Sequence, residues 1–167
     1  MPQPKQQIEK RDTLHMPSEE EIRAFMDEAI AEARNGLEEG GIPIGSVLVR
    51  KGKIIGRGHN RRIQFGDPTA HGEIDALRAA GRLRSYKDTV LFSTLMPCAM
   101  CAGFAVQFGI PIVIAGENRT FASSHDFLES HGITVIDLNL DECYEMLKQF
   151  AKEHPSLWAE DIGVEHD

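Results

Sequence analysis

Thr89-Val90-Leu91-Phe92-Ser93-Thr94 leads, through Leu95 and Met96, into Pro97-Cys98-Ala99-Met100-Cys101-Ala102-Gly103-Phe104-Ala105-Val106-Gln107-Phe108. The first six residues form a short apolar and β-branched run, which reads as a buried strand. The stretch Ala99 to Phe108 is apolar almost all round, the pattern of a covered helix. Such a helix needs cover either from the rest of its own domain or from a second subunit. A buried strand that feeds a buried helix is the repeating unit of an α/β protein.

Outward from this unit the pattern continues on both sides. Upstream, Ser18 followed by Glu21 has the form of a capping box. Behind it Ile22, Phe25, Met26, Ala29, Ile30 and Ala33 recur every three or four residues, so an amphipathic helix runs toward Gly36 and Gly40-Gly41. Ile44–Arg50 and Lys53–His59 read as two strands of a hairpin turning at Lys51-Gly52. Asp67-Pro68-Thr69 is expected to open a second helix, which ends at Gly81. Downstream, Ile112–Ala115 and Ile133–Ile136 read as strands, with a helix near Ser124–His131 between them. A long helix follows over Asp141–Glu153, and Pro155 to Asp167 reads as a short tail. There is no internal repeat, low-complexity tract or interdomain linker. The expected architecture is a three-layer α/β/α sandwich around a central mixed sheet, formed by one domain over residues 18–167 behind a flexible tail over residues 1–17.

Composition removes several function classes. The chain has 167 residues and a mass of 18.6 kDa, which suits one domain. Its net charge is −8 and its sequence pI is near 5.4, so it lacks the basic stripe of a phosphate-backbone binder. No apolar run approaches the ~20 residues of a membrane span. The first residues lack the apolar core of a secretory signal, so a cytoplasmic location is expected. In a reducing compartment the three cysteines serve as ligands, nucleophiles or core fillers rather than crosslinks.

Two segments carry chemistry: His71-Gly72-Glu73 at the start of the second helix, and Pro97-Cys98-Ala99-Met100-Cys101 at the start of the apolar one. Cysteines three apart in a first helical turn place both sulfurs on one face, where they can grip one ion. The helix N-terminus there favours thiolate over thiol. Two sulfurs leave Zn²⁺ short of ligands, and no second CxxC closes a structural site, so His71 is the best third ligand. Three protein ligands and an open fourth position describe a catalytic rather than a structural zinc site. Glu73, leaning past the same helix end, suits a proton shuttle for the attacking water. Taken singly, the CxxC also reads as a redox pair, His71 as a cap and Glu73 as a dipole partner; the ordered set is far more specific. Cys143, inside the helix Asp141–Glu153, reads as a core or partly exposed residue.

With these residues in place the chain resembles the zinc-dependent cytidine/deoxycytidylate deaminase superfamily, whose signature is HxE…PCxxC. The similarity extends through Gly40–Gly45, Gly56–Asn60, His71–Ile74, Tyr86–Thr89, Gly109–Pro111, Gly116–Asn118 and Trp158–Gly163, and is specific to the fungal-type cytosine deaminases. That resemblance implies a cytidine deaminase-like fold, one Zn²⁺ per chain held by His71, Cys98 and Cys101, and Glu73 as general acid and base. It further implies substrate contacts from Asn60, the backbone N–H of Gly72 and Asp161, an apolar lid of Phe121 and Trp158, and a homodimer. The implied reaction is deamination of cytosine to uracil and ammonia, with a small nucleobase and no nucleic acid as partner. Met96 departs from the family pattern, which has serine there, and this keeps a modified or isomeric cytosine or guanine open as the substrate. A tRNA adenosine deaminase is a further alternative; those enzymes commonly carry alanine in place of Gly72.

Overall fold

Ser18 opens the first helix as its spacing predicts. In the computed structural model, which describes residues 14–165, α1 spans Glu19–Glu38. The Ser18 hydroxyl accepts from Glu21 N, and the Glu21 carboxylate accepts from Ser18 N. This reciprocal pair is worth about 1 kcal/mol. The expected tail over residues 1–17 lies largely outside the described residues.

β1 (Gly45–Arg50) and β2 (Lys53–His59) form the hairpin. Lys51 and Gly52 both have positive φ, 51° and 73°, which is the geometry a right-twisted two-residue turn requires. β3 (Thr89–Leu95) pairs antiparallel with β1, and β4 (Ile112–Glu117) and β5 (Thr134–Asp137) then add in parallel. The order is β2-β1-β3-β4-β5, a mixed sheet.

Side chains alternate across this sheet. On one face Val47, Val49, Val90, Phe92, Ile112 and Ile114 pack against Met26, Ala29 and Ile30 of α1 and Cys143 of α6 (Asp141–Glu153). On the other, Leu48, Leu91, Val113 and Ala115 meet α3 (Gly72–Ala80), α4 (Ala99–Phe108) and α5 (His125–Ser130) through Leu77, Ala102, Ala105 and Leu128. This is the expected three-layer α/β/α sandwich. Cys143 is a core residue, 4% exposed. α3 sits close on β2 because glycine allows it: a Cβ on Gly56 would lie 2.2 Å from Ala76 O.

Two expectations need correction. Asp67-Pro68-Thr69 does not open α3. The Asp67 carboxylate accepts instead from Thr69 N at 2.8 Å and from Thr69 Oγ1 at 2.7 Å, closing a local turn. The chain turns again, His71 N donating to Thr69 O at 2.8 Å, before α3 begins, and a short helix α2 (Arg62–Phe65), not foreseen in the sequence, precedes the Asp67 turn. The segment after Pro155 is a helix, α7 (Pro155–Ile162), rather than a tail. Proline at its first position has the right φ, and Gly163, at φ 69°, ends it. Of the two sources of cover expected for α4, the chain itself supplies only part. Cys101, Ala102 and Ala105 are buried, whereas Met100 is 38% and Phe108 43% exposed.

Candidate active site

Several elements end together at one edge of the sheet. Gly45 at the start of β1 pairs with His59 at the end of β2, and Ser46 pairs with Ser93 near the end of β3. α3 and α4 begin at this edge on the same face. His71 is the residue before α3 and Cys98 the residue before α4, each with extended backbone. Their side chains therefore project beyond the helix ends rather than around the barrels.

The consequence is a tight cluster. His71 Nδ1 lies 3.5 Å from Cys98 Sγ, and the ligand atoms of His71, Cys98 and Cys101 lie within 4.8 Å of one another. One imidazole nitrogen and two sulfurs at these separations fit a single tetrahedral Zn²⁺ and leave its fourth position for a small molecule. Neither sulfur is in a disulfide. Glu73, 3% exposed, leans over the cluster. Its Oε2 faces Cys101 Sγ at 3.4 Å, and its Oε1 accepts from Ser93 Oγ at 2.9 Å.

Without metal, the protons of this cluster are unevenly shared. The Cys98 thiol is lowered to about 4 by the hydrogen bond from Cys101, against the cost of burial, with His71 helping. Cys101 moves the other way, well above the ordinary thiol, because it keeps its proton beside that thiolate and is buried. Burial works against a charged His71, yet hydrogen bonds to Asp161 and Cys98 outweigh it and raise the ring to about 10. Burial raises Glu73, opposed by the positive His71 ring. Metal binding must therefore expel protons from His71 and Cys101, while Cys98 is already a thiolate.

Around the cluster the structure gathers Asn60, Gly72, Phe121, Trp158 and Asp161. Asn60 is fully buried; its Oδ1 accepts from Arg62 N at 2.9 Å and its Nδ2 donates to Asp161 Oδ1 at 3.2 Å. Asp161, on α7, also lies 3.3 Å from His71 Nε2. Phe121 and Trp158 meet edge to face with ring centroids 6.5 Å apart. Gly72 is pressed on the backbone: an added Cβ would lie 3.0 Å from Ile44 O. Asn60, His71, Glu73, Cys98, Phe121, Trp158 and Asp161, with Ile44, Leu95, Met96 and Ile162, wall a cavity of about 20 Å³, room for one water. Ser93 was missed at the sequence level; its signal was a polar residue inside a buried strand.

Residues 19–117 match the model of the cytidine and deoxycytidylate deaminase zinc-binding region, and this chain belongs to that family. It is 42% identical over 138 residues to a cytosine deaminase of Candida albicans, covering 81% of this chain and 92% of that one. It is 43% identical over 110 residues to a tRNA-specific adenosine deaminase of Streptococcus pyogenes, covering 63% of this chain and 69% of that one. Among solved structures, one from a study of A-to-I editing by tRNA:A34 deaminases superposes with a TM-score of 0.66 at 33% identity, covering 75% of this chain and 99% of the other. A guanine deaminase from Nitrosomonas europaea shares the fold, with a TM-score of 0.68 at 20% identity.

Proposed function

We propose that the protein is a zinc-dependent hydrolytic deaminase of a free nucleobase, converting cytosine and water to uracil and ammonia. The observation that carries this reading is the closure of the pocket by the chain's own α7. Trp158, Asp161 and Ile162 wall the cavity over the metal cluster, so a substrate must be small enough to be enclosed. A base still attached to an RNA loop needs an open mouth and contacts to flanking phosphates. The match to the cytosine deaminase, which extends over 81% of the chain against 63% for the tRNA enzyme, supports the same choice. So does the backbone packed 3.0 Å from where an alanine Cβ would sit at position 72.

Zinc held by His71, Cys98 and Cys101 would make a water acidic enough to lose a proton near neutral pH. Glu73, over the cluster, is placed to carry one proton from the attacking water to the ring nitrogen and a second, released as the new hydroxyl becomes the carbonyl, to the departing amine. Asn60 Nδ2 and the Gly72 N–H donate to the substrate carbonyl, and Asp161 accepts from the exocyclic amine. Phe121 and Trp158 cover the ring and exclude water. A pyrimidine exceeds the cavity as it stands, so entry requires displacement of α7, which acts as the lid of a single deaminase unit spanning residues 18–167.

One observation favours a second reading. Met96, fully buried in the pocket wall, offers a thioether where the resembling enzymes have a hydroxyl, which suits a base with a different polar edge such as guanine or a modified cytosine. A panel of bases assayed for ammonia release by the zinc-loaded protein tests both. Cytosine is expected to lead; a tenfold advantage for guanine in kcat/KM would overturn the cytosine assignment.

In this reading the enzyme works as a cytoplasmic homodimer. The large apolar side chains exposed on neighbouring helices, Met100 and Phe108 of α4 and Phe127 of α5, support a covering partner. Among the described residues no helix is long and apolar enough to cross a membrane.

A further inference from the structure

Ser93 interrupts a mostly apolar sheet face. Leu91 two residues earlier on β3, and Val113 and Ala115 on neighbouring β4, are apolar, while Ser46, directly opposite on β1, gives its own hydroxyl to Phe92 O. Ser93 is fully buried there, where an unpaired hydroxyl would cost free energy. It finds its partner in the carboxylate of Glu73, donating to Oε1 at 2.9 Å. The other oxygen, Oε2, faces Cys101 Sγ at 3.4 Å on the metal side. Among the described residues no other side chain donates to Oε1.

The two oxygens of one carboxylate therefore have separate surroundings. One is tied to the sheet and the other points into the ion-binding group. The last torsion of a glutamate is broad, so an untethered carboxylate can turn and exchange its oxygens. A hydrogen bond from β3, the middle strand of the sheet, removes that freedom. The neighbouring Thr94 spends its hydroxyl differently, accepting from Gly45 N at 3.1 Å and so bridging two strands. Of this adjacent pair, only Ser93 reaches Glu73.

Resting on the deaminase reading above, we infer that Ser93 is a positioning residue. It holds Glu73 by Oε1 so that Oε2 is the oxygen that carries the proton from water to the ring. Ser93 does not line the pocket and touches no substrate, so its loss should act on the chemical step rather than on binding.

The test compares Ser93→Val with Ser93→Thr, two variants of nearly equal shape that differ by the hydroxyl. Ser93→Ala replaces the valine variant if that one does not fold. In the zinc-loaded protein with cytosine, the valine variant is expected to lose about 10- to 100-fold in kcat, the scale of a misplaced catalytic group, with KM nearly unchanged and one zinc per chain retained. The threonine variant should keep kcat close to wild type. Crystal structures of both zinc-loaded variants provide a readout that needs no turnover: Glu73 should be turned or displaced in Ser93→Val and held in Ser93→Thr. Equal kcat for the two variants, an unmoved Glu73 in Ser93→Val, or a loss of kcat that merely follows lost zinc would overturn the inference. Wild-type protein that releases ammonia from no base would sink the function instead, and the two crystal structures would still decide the role of Ser93.

Discussion

The floor and the lid of the pocket are built by different means. The floor consists of His71, Glu73, Cys98 and Cys101, all within the first turns of α3 and α4 or at their caps, and all placed by the local geometry of a helix start. The lid consists of Trp158 and Asp161 on α7, held by tertiary packing. Trp158 and Leu157 join Ile42, Ile44, Leu95, Leu147 and Phe150 in an apolar cluster drawn from four separate stretches of chain. In the proposed reaction the floor carries the chemistry and the lid selects what may reach it. A single polar junction links them, Asp161 Oδ1 between His71 Nε2 and Asn60 Nδ2.

If this division is right, damage to the floor and damage to the lid should differ in kind. The largest effect is expected for Glu73→Gln. It should lower kcat by about 10³-fold or more while one zinc per chain and the thermal transition are retained, as elemental analysis and calorimetry would show. Retained turnover would remove Glu73 from the proton path. Deleting residues 155–167 should come next, with kcat/KM for cytosine falling at least about 100-fold and zinc content unchanged. Loss of zinc in that variant would mean that floor and lid are one structure rather than two.

The junction can be probed by pH. In the metal-free protein His71 is raised to about 10 and Cys101 also holds its proton, whereas Cys98, lowered to about 4, has lost its own. Below pH 10 protons therefore compete with zinc at two of the three ligands, so affinity should rise with pH, by as much as about 100-fold per unit near neutrality. Chelator competition at pH 6 and pH 7 measures this slope. Asp161→Asn removes a lid group that raises His71, so protons should compete less at that ligand and zinc affinity at pH 7 should rise in that variant. An unchanged affinity would show that the lid does not act on the metal ligands. The smallest effect is expected for Cys143→Ala, on the far face of the sheet: a loss of stability of about 1–3 kcal/mol from the cavity created, with kcat and zinc unaltered.

The same division explains what was legible in the sequence. The capping box at Ser18, the period of α1, the hairpin at Lys51-Gly52 and the buried run of β3 are local signals, and each appears where its pattern places it. His71, Glu73, Cys98 and Cys101 were legible for the same reason, since helix starts impose their spacing. α7 was not legible, because an eight-residue helix is too short to show a periodic pattern and is stabilised by the cluster it joins. The start of α3 was misplaced because Asp67 satisfies a turn as readily as a helix cap. Ser93 escaped notice because its partner lies on another element, twenty residues away in the chain. Roles for Asn60, Asp161, Phe121 and Trp158 came from resemblance alone; the fold brings all four to one cavity.

The central claim, that α7 restricts this zinc site to a free base, is tested most directly by offering the zinc-loaded protein cytosine, guanine and an anticodon stem-loop containing a wobble adenosine under one set of conditions. Ammonia release from cytosine at least tenfold faster than from guanine, with no inosine formed in the stem-loop, is the expected result. Inosine formation that outpaces deamination of either free base would contradict it.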